Sequence, residues 1–405
     1  MAHLNETKPR SRQRDSEVGA WVSWQLSSSM DGRMSSTQQV GSSNSTLREN
    51  SVQRWGMEMQ RVKDKIRTAL HSFTFLFCCM TTAAAADPAS TGTNIFAPQS
   101  TPARSILHLS TFVLTITGII FAVVFTLLVY SITKFRARSA SANSEPAQVY
   151  GSTQIELAWT IIPILIVVVL FLATARVLHA VQDAPMPAGA VEVTVIGHQF
   201  WWEYRYPQLG VVTANELHIP VSDPVHPTPT FLQLLSADTD HSFWIPELAG
   251  KTDLVPNHPN QMWMDPQRTG TFLGQCAQYC GTQHAKMLLR VSVDSPEDFA
   301  AWLREQQRPA VADERVAVGK RVFETTACIN CHTINGTVAN GRFGPDLTHL
   351  MSRSTIAAGA APNTPENLRL WIQNPEAIKR GSLMPAMQLS KSDLDALMSY
   401  LETLR

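Results

Sequence analysis

Charged residues are scarce in this sequence: Asp, Glu, Lys and Arg make up 16% of its 405 residues, against about a quarter in ordinary soluble domains. Neither sign prevails, because 33 basic residues balance 33 acidic ones. The basic excess that accompanies nucleic-acid binding is therefore missing, and we expect no nucleic-acid partner. Hydrophobic residues reach 44%, so apolar segments must be concentrated somewhere, which points to a membrane-embedded part. The length excludes one small domain and predicts two or three folded units.

Residues 1–86 are predicted to be a disordered extension followed by an export signal. Most of this segment is rich in Ser and basic residues and poor in large apolar ones, a composition that does not support a packed core. A basic cluster then precedes an apolar stretch and four alanines that end at Ala86, which is typical of a signal peptide cleaved after Ala86. Because this signal lies far from Met1, we expect translation to begin at Met57 or Met59. A short membrane anchor is the alternative.

Two long apolar runs predict a transmembrane hairpin within residues 87–180. The runs cover about residues 106–130 and 157–176, and each reaches the roughly 20 residues that a spanning helix requires. The connection between them carries three basic residues and one Glu. The positive-inside rule therefore places it in the cytoplasm and the outer ends of both helices across the membrane. Two core helices of a soluble protein are the alternative.

The remainder of the chain changes character twice. Residues 181–303 contain short runs of period two separated by Pro and Gly, with more acidic than basic residues, which predicts a small β-sandwich or barrel. Residues 313–405 are predicted to be helical. Ser390 and Asp393 form a capping-box start, and a leucine every three or four residues lines one face of the helix that follows.

One cysteine pair lies among other metal ligands. Cys276 and Cys280 are followed by His284 and Met287, and His241 lies 35 residues upstream. Thiolate, imidazole and thioether donors together favour copper, and the second cysteine points to two coppers bridged by both sulfurs. The alternatives are a Cys2His2 zinc site, which would not use the methionine, a disulfide, or one face of a helix, since the spacing is four. Glycines in a β-patterned region favour a loop, and we predict a copper site.

The second cysteine pair has the spacing of a haem attachment site. Cys328 and Cys331 are followed at once by His332; two thiols can bind the vinyl groups of a haem c, and the imidazole can bind the iron. We predict Met384 as the second axial ligand, with Met387 as the alternative. A thioredoxin-like redox motif is the other interpretation, but no βαβ pattern surrounds these residues.

These motifs together resemble subunit II of a haem-copper cytochrome c oxidase of the caa3 type, in which a cytochrome c domain is fused to the C-terminus. The resemblance covers nearly everything after residue 90. It rests on the copper loop, C-x-x-C-H, and four further segments: 154–163 (QIELAWTIIP), 197–206 (GHQFWWEYRY), 241–244 (HSFW) and 251–253 (KTD). It implies a multidomain membrane protein with a two-helix transmembrane hairpin, a cupredoxin-like β-barrel that carries the dinuclear CuA site, and an all-α cytochrome c domain with covalent haem c.

The resemblance also implies a ligand set and one departure from it. CuA ligands in such proteins match His241, Cys276, Cys280, His284 and Met287, together with the backbone carbonyl of the residue between the cysteines. That residue is usually Glu in the family and is Gln278 here. The carbonyl survives the change, so we expect CuA to be intact. The charge that helps to hold a magnesium ion near subunit I is lost, which calls the magnesium site into question.

Two further roles are carried over from the resemblance. Phe200 stands where relatives often have the tryptophan that receives electrons from cytochrome c; Trp201 and Trp202 remain as mediators, with buried packing as the alternative role. Glu156 lies at the cytoplasmic mouth of the second span, where the matching residue in relatives marks a proton-uptake path. Solvation of a helix end is the alternative.

The implied function is a relay of electrons. Electrons from cytochrome c or an upstream respiratory complex would pass through haem c and CuA to subunit I, where O2 is reduced to water with proton translocation. We therefore expect no catalytic residue in this chain. We expect partner oxidase subunits, and a bacterial plasma membrane with both cofactor domains on its outer side. The alternatives are a nitric oxide reductase subunit, a copper chaperone, or a quinol oxidase subunit, which lacks the copper ligands.

Overall fold

The computed structural model describes most of the chain after residue 92. The described residues are 93–136, 150–183, 189–223, 227–311 and 313–405, with Gln60, Asp64, Arg67, Gln148, Met186 and Val225. The predicted signal peptide, its cleavage site and the proposed translation starts lie almost entirely outside these residues. The architecture described below belongs to the compact unit Thr91–Arg405.

Two long helices precede the rest of the fold: α1 spans Thr101–Lys134 and α2 spans Thr153–Gln182. Helix α1 begins where sequence chemistry favours a start, with the Ser100 hydroxyl accepting the Ala103 amide and Pro102 in the first turn. The most apolar windows of the two helices have mean hydropathies of 2.7 and 2.8, and no residue within these windows is buried. Apolar side chains that point outward all round a helix fit lipid rather than water.

Ten strands form two five-stranded sheets between residues 191 and 294. The strands are Val191–His198 (β1), Trp201–Tyr206 (β2), Val211–Ala214 (β3), Glu216–Pro220 (β4), Thr230–Ser236 (β5), His241–Trp244 (β6), Thr252–Leu254 (β7), Asn260–Met264 (β8), Gly270–Cys276 (β9) and Leu288–Asp294 (β10). The sheet orders are β3-β2-β1-β5-β8 and β4-β10-β9-β6-β7. Strand β1 pairs with β5, and β4 with β10, in parallel; the other described pairings are antiparallel.

The core of this barrel follows from alternation along the strands. In β10 every second residue is buried, as a strand with one face on a core requires. Large apolar and aromatic side chains from both sheets meet between them, among them Trp202, Tyr204, Phe243, Phe272 and Leu289. Cys276, Cys280 and Met287 belong to the same cluster. The copper-loop sulfurs are therefore part of the barrel's core.

Hydrogen bonds connect the barrel to the two long helices. The Asp265 carboxylate accepts from the Thr101 amide at 2.7 Å and from the Thr101 hydroxyl at 2.5 Å, at the start of α1. At the end of α2, the Trp263 indole donates to the Val181 carbonyl at 2.6 Å. The barrel is thus attached to the start of α1 and to the end of α2.

Short helices form the rest of the chain: α3 Pro296–Gln306, α4 Ala317–Thr325, α5 Cys328–Cys331, α6 Pro365–Gln373, α7 Pro375–Ile378 and α8 Lys391–Leu401. A two-stranded ribbon, β11 Thr355–Ile356 with β12 Ala361–Pro362, precedes α6. Helix α8 begins as predicted, with Ser390 capping the Asp393 amide. Helices α4 and α8 cross closely at Gly319, where an added Cβ would lie 2.0 Å from the Ala396 carbonyl oxygen.

Candidate metal and haem sites

The copper loop is an irregular connection between two paired strands. Strand β9 ends at Cys276, a single 3-10 turn covers His284–Lys286, and β10 begins at Leu288. The Cys276 amide donates to the Met287 carbonyl at 2.9 Å and closes the base of the loop. The helix interpretation of the four-residue spacing is therefore wrong: a strand, a turn and a 3-10 turn position these side chains instead.

Four further donor groups converge around the two cysteine sulfurs. The Cys276 and Cys280 sulfurs lie 3.9 Å apart. Cys276 Sγ is 3.9 Å from His241 Nδ1 and 3.1 Å from the Gln278 carbonyl oxygen. Cys280 Sγ lies 3.8 Å from both His284 Nδ1 and Met287 Sδ. All six residues predicted from the sequence thus meet at one place, Gln278 through its backbone and not its side chain.

A carboxylate fixes the orientation of the His241 ring from the side opposite to the cysteine sulfurs. Its Nε2 lies 2.7 Å from the Asp238 carboxylate, which leaves Nδ1 facing the sulfurs. Gly197 allows the ring to pack closely, because an added Cβ there would lie 2.8 Å from His241 Cδ2. Burial lowers the pKa of His241, but contacts with Asp238 and Cys276 outweigh it and leave the pKa raised. A carboxylate behind a ligating imidazole is a common way to orient a metal ligand.

The two thiols influence each other strongly. A hydrogen bond from the Cys280 thiol lowers the pKa of Cys276, and the neighbouring Cys276 sulfur raises the pKa of Cys280. One thiolate is thus stabilised at the expense of the other. A bound cation removes this conflict, since metal ligation requires both thiols to be deprotonated.

The donor set fits copper better than zinc. Cys276, Cys280, Met287 and His241 are buried to 3% exposure or less, and a buried thioether beside two thiolates is a soft environment that suits copper. The Gln278 side chain is exposed while its carbonyl faces Cys276. Residue 278 therefore contributes through its backbone, independently of its side chain.

A large apolar cavity lies beside the second cysteine pair. Cys328, Cys331 and His332 line it together with Met384 and Met387. The C-x-x-C segment forms the short helix α5, and His332 follows immediately after it. Thiols and imidazole thus open onto a single apolar space, as a covalently attached haem requires.

His332 is held in one orientation for ligation. Its Nδ1 lies 2.7 Å from the Pro345 carbonyl oxygen, so Nε2 is the nitrogen left for a metal. Burial lowers the pKa of His332, which favours the neutral ring that binds iron. Two glycines make room: an added Cβ would lie 2.6 Å from His332 Cε1 at Gly344, and 2.6 Å from the Cys331 nitrogen at Gly341.

The aromatic residues have unequal positions. Phe200 and Trp201 line the cavity beside Cys328, whereas Trp202 is fully buried in the barrel core, edge-on to Phe243 with ring centroids 5.3 Å apart. Trp201 stacks on His198 at 4.2 Å. Trp202 therefore lies where the packing alternative places it, and the electron-transfer role of the three residues stays a prediction.

Glu156 lies apart from both sites. It occupies the first turn of α2 and its side chain is exposed. The barrel is attached at the other end of that helix. The structure therefore places Glu156 at the end of the membrane helix opposite to the copper loop.

Comparisons with known proteins agree with this architecture. Three family models match: cytochrome c oxidase subunit II, transmembrane domain, over residues 88–177; cytochrome c oxidase subunit II, periplasmic domain, over residues 215–294; and cytochrome c over residues 316–405. Cytochrome c oxidase subunit 2 of Alkalihalophilus pseudofirmus is 35% identical over 294 residues, which are 70% of this chain and 82% of that protein. The protein of the same name from Bacillus sp. (strain PS3) is 33% identical over 291 residues, 67% of this chain and 80% of that protein.

A solved structure is also similar in part. The periplasmic domain of subunit II of cytochrome oxidase of Bradyrhizobium japonicum is 27% identical and covers 30% of this chain and 97% of its own, with a TM-score of 0.28.

A membrane hairpin, a cupredoxin-like half-barrel and a cytochrome c domain in one chain define a membrane-bound electron-transfer protein that carries copper and haem. The chain belongs to the cytochrome c oxidase subunit II family and is a subunit of a haem-copper terminal oxidase. The predicted fold class is confirmed, as is the two-pass membrane hairpin. A CuA copper site and a haem follow from the two matched domains.

Sequence reasoning missed several residues that support these sites. Asp238 lies only three residues before His241, so proximity in the sequence could have identified it. Gln199, whose side chain donates to the Cys280 carbonyl at 2.5 Å, Glu216 and Lys379 gave no such signal. Their roles depend on contacts between residues that are distant in the sequence.

Proposed function

We propose that this chain receives electrons from an external cytochrome c or an upstream respiratory complex and relays them, through its own covalent haem c and a dinuclear CuA centre, to subunit I. One observation carries the proposal: the apolar cavity at Cys328 and the copper loop share a wall. Gln199 and Phe200 line the cavity. Gln199 also donates to the Cys280 carbonyl, and the Phe200 ring packs over Gly281.

The bound cofactors supply one-electron chemistry, and the chain supplies position and surroundings. Cys276, Cys280, His241, His284, Met287 and the Gln278 carbonyl would hold the coppers, and Cys328, Cys331, His332 and Met384 the haem. Asp238 and the Pro345 carbonyl orient the two histidines from behind. The packed barrel excludes water from the sulfurs. In this proposal, none of the described residues makes or breaks a bond in a substrate.

The remaining assignments are part of the same proposal. Residues 1–86 would be an extension and signal, 87–180 the hairpin, 181–303 the CuA domain and 313–405 the cytochrome c domain. Both cofactor domains would face the periplasmic side of a bacterial plasma membrane, because the basic connection between the spans favours the cytoplasm. Partner subunits would reduce O2 and translocate protons, with Glu156 at the start of a proton-uptake path.

Metal and haem analysis of the purified chain tests the proposal. We expect two coppers and one covalent haem per polypeptide, and reoxidation of the reduced haem by the copper centre. Cys276→Ser should remove the copper signal and leave the haem attached. Replacing both Cys328 and Cys331 by Ala should abolish covalent haem attachment and leave the copper signal. A dominant zinc content would overturn the copper assignment. A haem that denaturing extraction removes would overturn covalent attachment.

A further inference from the structure

The cytochrome c domain rests on the copper loop and the strands beside it. The Leu288 amide, one residue after Met287, donates to the Ala358 carbonyl at 3.2 Å. The Lys286 ammonium donates to the Ile378 carbonyl at 2.7 Å. An added Cβ at Gly381 would lie 2.9 Å from the Thr282 hydroxyl. The two domains are therefore in close contact on one side of the copper site.

Buried ionisable side chains form hydrogen bonds across this contact, one from each domain. Lys379, only 3% exposed, donates to the Phe200 carbonyl at 2.7 Å and to the Ala357 carbonyl at 3.1 Å. It thus bridges the barrel and the haem domain at the wall of the haem cavity, which it also lines. Burial lowers the pKa of Lys379 to about 7, a sign that this position costs free energy.

The second buried charge is Glu216, the first residue of β4. It is 6% exposed and accepts from the Ser354 amide at 3.0 Å, the Ser354 hydroxyl at 2.6 Å, and the Thr355 amide and hydroxyl, each at 2.9 Å. All four donors belong to the haem domain. A carboxylate can accept about four hydrogen bonds. Donors on the other side of the contact therefore supply nearly all of them.

The turn between these anchor points has an unfavourable backbone. Ala357, Ala358 and Gly359 have φ values of 54°, 57° and 79°, and the left-handed conformation is costly for alanine. This turn directs the Ala357 carbonyl to Lys379 and the Ala358 carbonyl to Leu288. A conformation of this kind persists only where surrounding contacts enforce it.

We infer that Glu216 and Lys379 are positioning residues that fix one register of the haem domain on the copper loop. Any other register that still buries them would leave an ionisable group without hydrogen-bond partners, which is unfavourable whether or not the group is charged. Such groups contribute more to specificity than to affinity. The inference rests on the proposed relay, because register matters where an electron must cross from the haem cavity to the copper loop.

The full-length holoprotein in detergent allows a direct test. Haem c is reduced by a light pulse with an external photoreductant, and its reoxidation by copper is followed optically. In Glu216→Ala and Lys379→Met, we expect the population in the native register to fall roughly tenfold relative to other arrangements, equivalent to about 1.4 kcal/mol. The fast phase of reoxidation should lose amplitude accordingly in both variants. In Glu216→Ala, at a position that does not line the haem cavity, the spectra and reduction potentials of both centres should stay unchanged.

Matched variants separate positioning from a general loss of structure. Glu216→Gln keeps a carbonyl acceptor for Ser354 and Thr355, so it should recover most of the fast phase. Glu314→Ala and Lys391→Met make the same changes at exposed positions of the haem domain and should behave as the parent chain. An unchanged fast phase in both Glu216→Ala and Lys379→Met, or a loss in Glu216→Ala that follows a shifted potential, would refute the inference.

Amide hydrogen exchange gives a second readout that needs no electron transfer. Lys379→Met should accelerate exchange of the Leu288 amide, which bonds across the contact but not to Lys379 itself. Unchanged exchange there would count against the inference. If the chain bound neither copper nor haem, the proposed function would fail, while this measurement would still decide whether the two charges hold the domains together.

Discussion

Gly344 packs against the ring of His332 so closely that an added Cβ would lie 2.6 Å from Cε1 and 2.9 Å from Nδ1. The same ring is held by the Pro345 carbonyl. The C-x-x-C-H motif therefore depends on a glycine 12 residues downstream to present its imidazole.

Gly344→Ala should displace His332 and weaken its bond to haem iron. Overpacking of this kind costs about 1–3 kcal/mol, so we expect lower thermal stability of the haem domain and an altered Soret band. Gly118→Ala is the matched control, because no atom lies within 4 Å of an added Cβ there. Identical spectra and melting curves for the two variants would contradict the prediction.

Asp238→Asn should weaken copper binding. The amide keeps the size of the side chain but loses the charge behind His241, and losing such a partner costs roughly 10–100-fold in metal affinity. Competition with a copper chelator measures the change. Asp240→Asn, an exposed change two residues away, should retain the parent affinity. Equal copper retention in the two variants would show that Asp238 does not support the site.

Met384→Leu should lower the reduction potential of the haem, because methionine ligation raises it. Redox titration with optical detection measures the shift. Met387 lines the same cavity, so Met387→Leu is the matched control and should leave the potential nearly unchanged. A lowered potential in Met387→Leu and an unchanged potential in Met384→Leu would assign the axial bond to Met387.

Glu156→Gln should slow proton-coupled turnover of the assembled oxidase without slowing reduction of the copper centre, since the residue lies at the far end of α2. Steady-state O2 consumption at saturating donor and the rate of copper reduction are measured on the same preparation. The control is Asp183→Asn, which also replaces an acid by its amide, but just beyond the other end of that helix. Undiminished turnover in Glu156→Gln would refute the role.

Local chemistry explains what could be predicted from the sequence. The ligands of each site lie mostly within a dozen residues, and soft donors at close spacing are recognisable without a fold. The apolar runs marked the spans, although α1 and α2 extend beyond them. Helix formation continues into polar flanks, and a Ser-Thr-Pro start such as residues 100–102 determines where α1 begins.

What could not be predicted depends on tertiary packing. Glu216 and Lys379 look like ordinary surface charges in the sequence, and only the contact between two domains buries them. Trp202 is fully buried whereas its neighbour Trp201 is only partly buried, a difference that combines side-chain alternation along β2 with the packing of the two sheets. Periodicity alone cannot supply that combination.

The sulfurs of Cys276, Cys280 and Met287 share a buried cluster with Phe200, Trp202 and Phe243. A close-packed interior yields little to a change of charge, so ligands embedded in it would keep nearly the same geometry whether the centre is oxidised or reduced. The barrel would thereby keep the reorganisation that accompanies each electron small, and a modest difference in potential would be enough to move electrons in either direction.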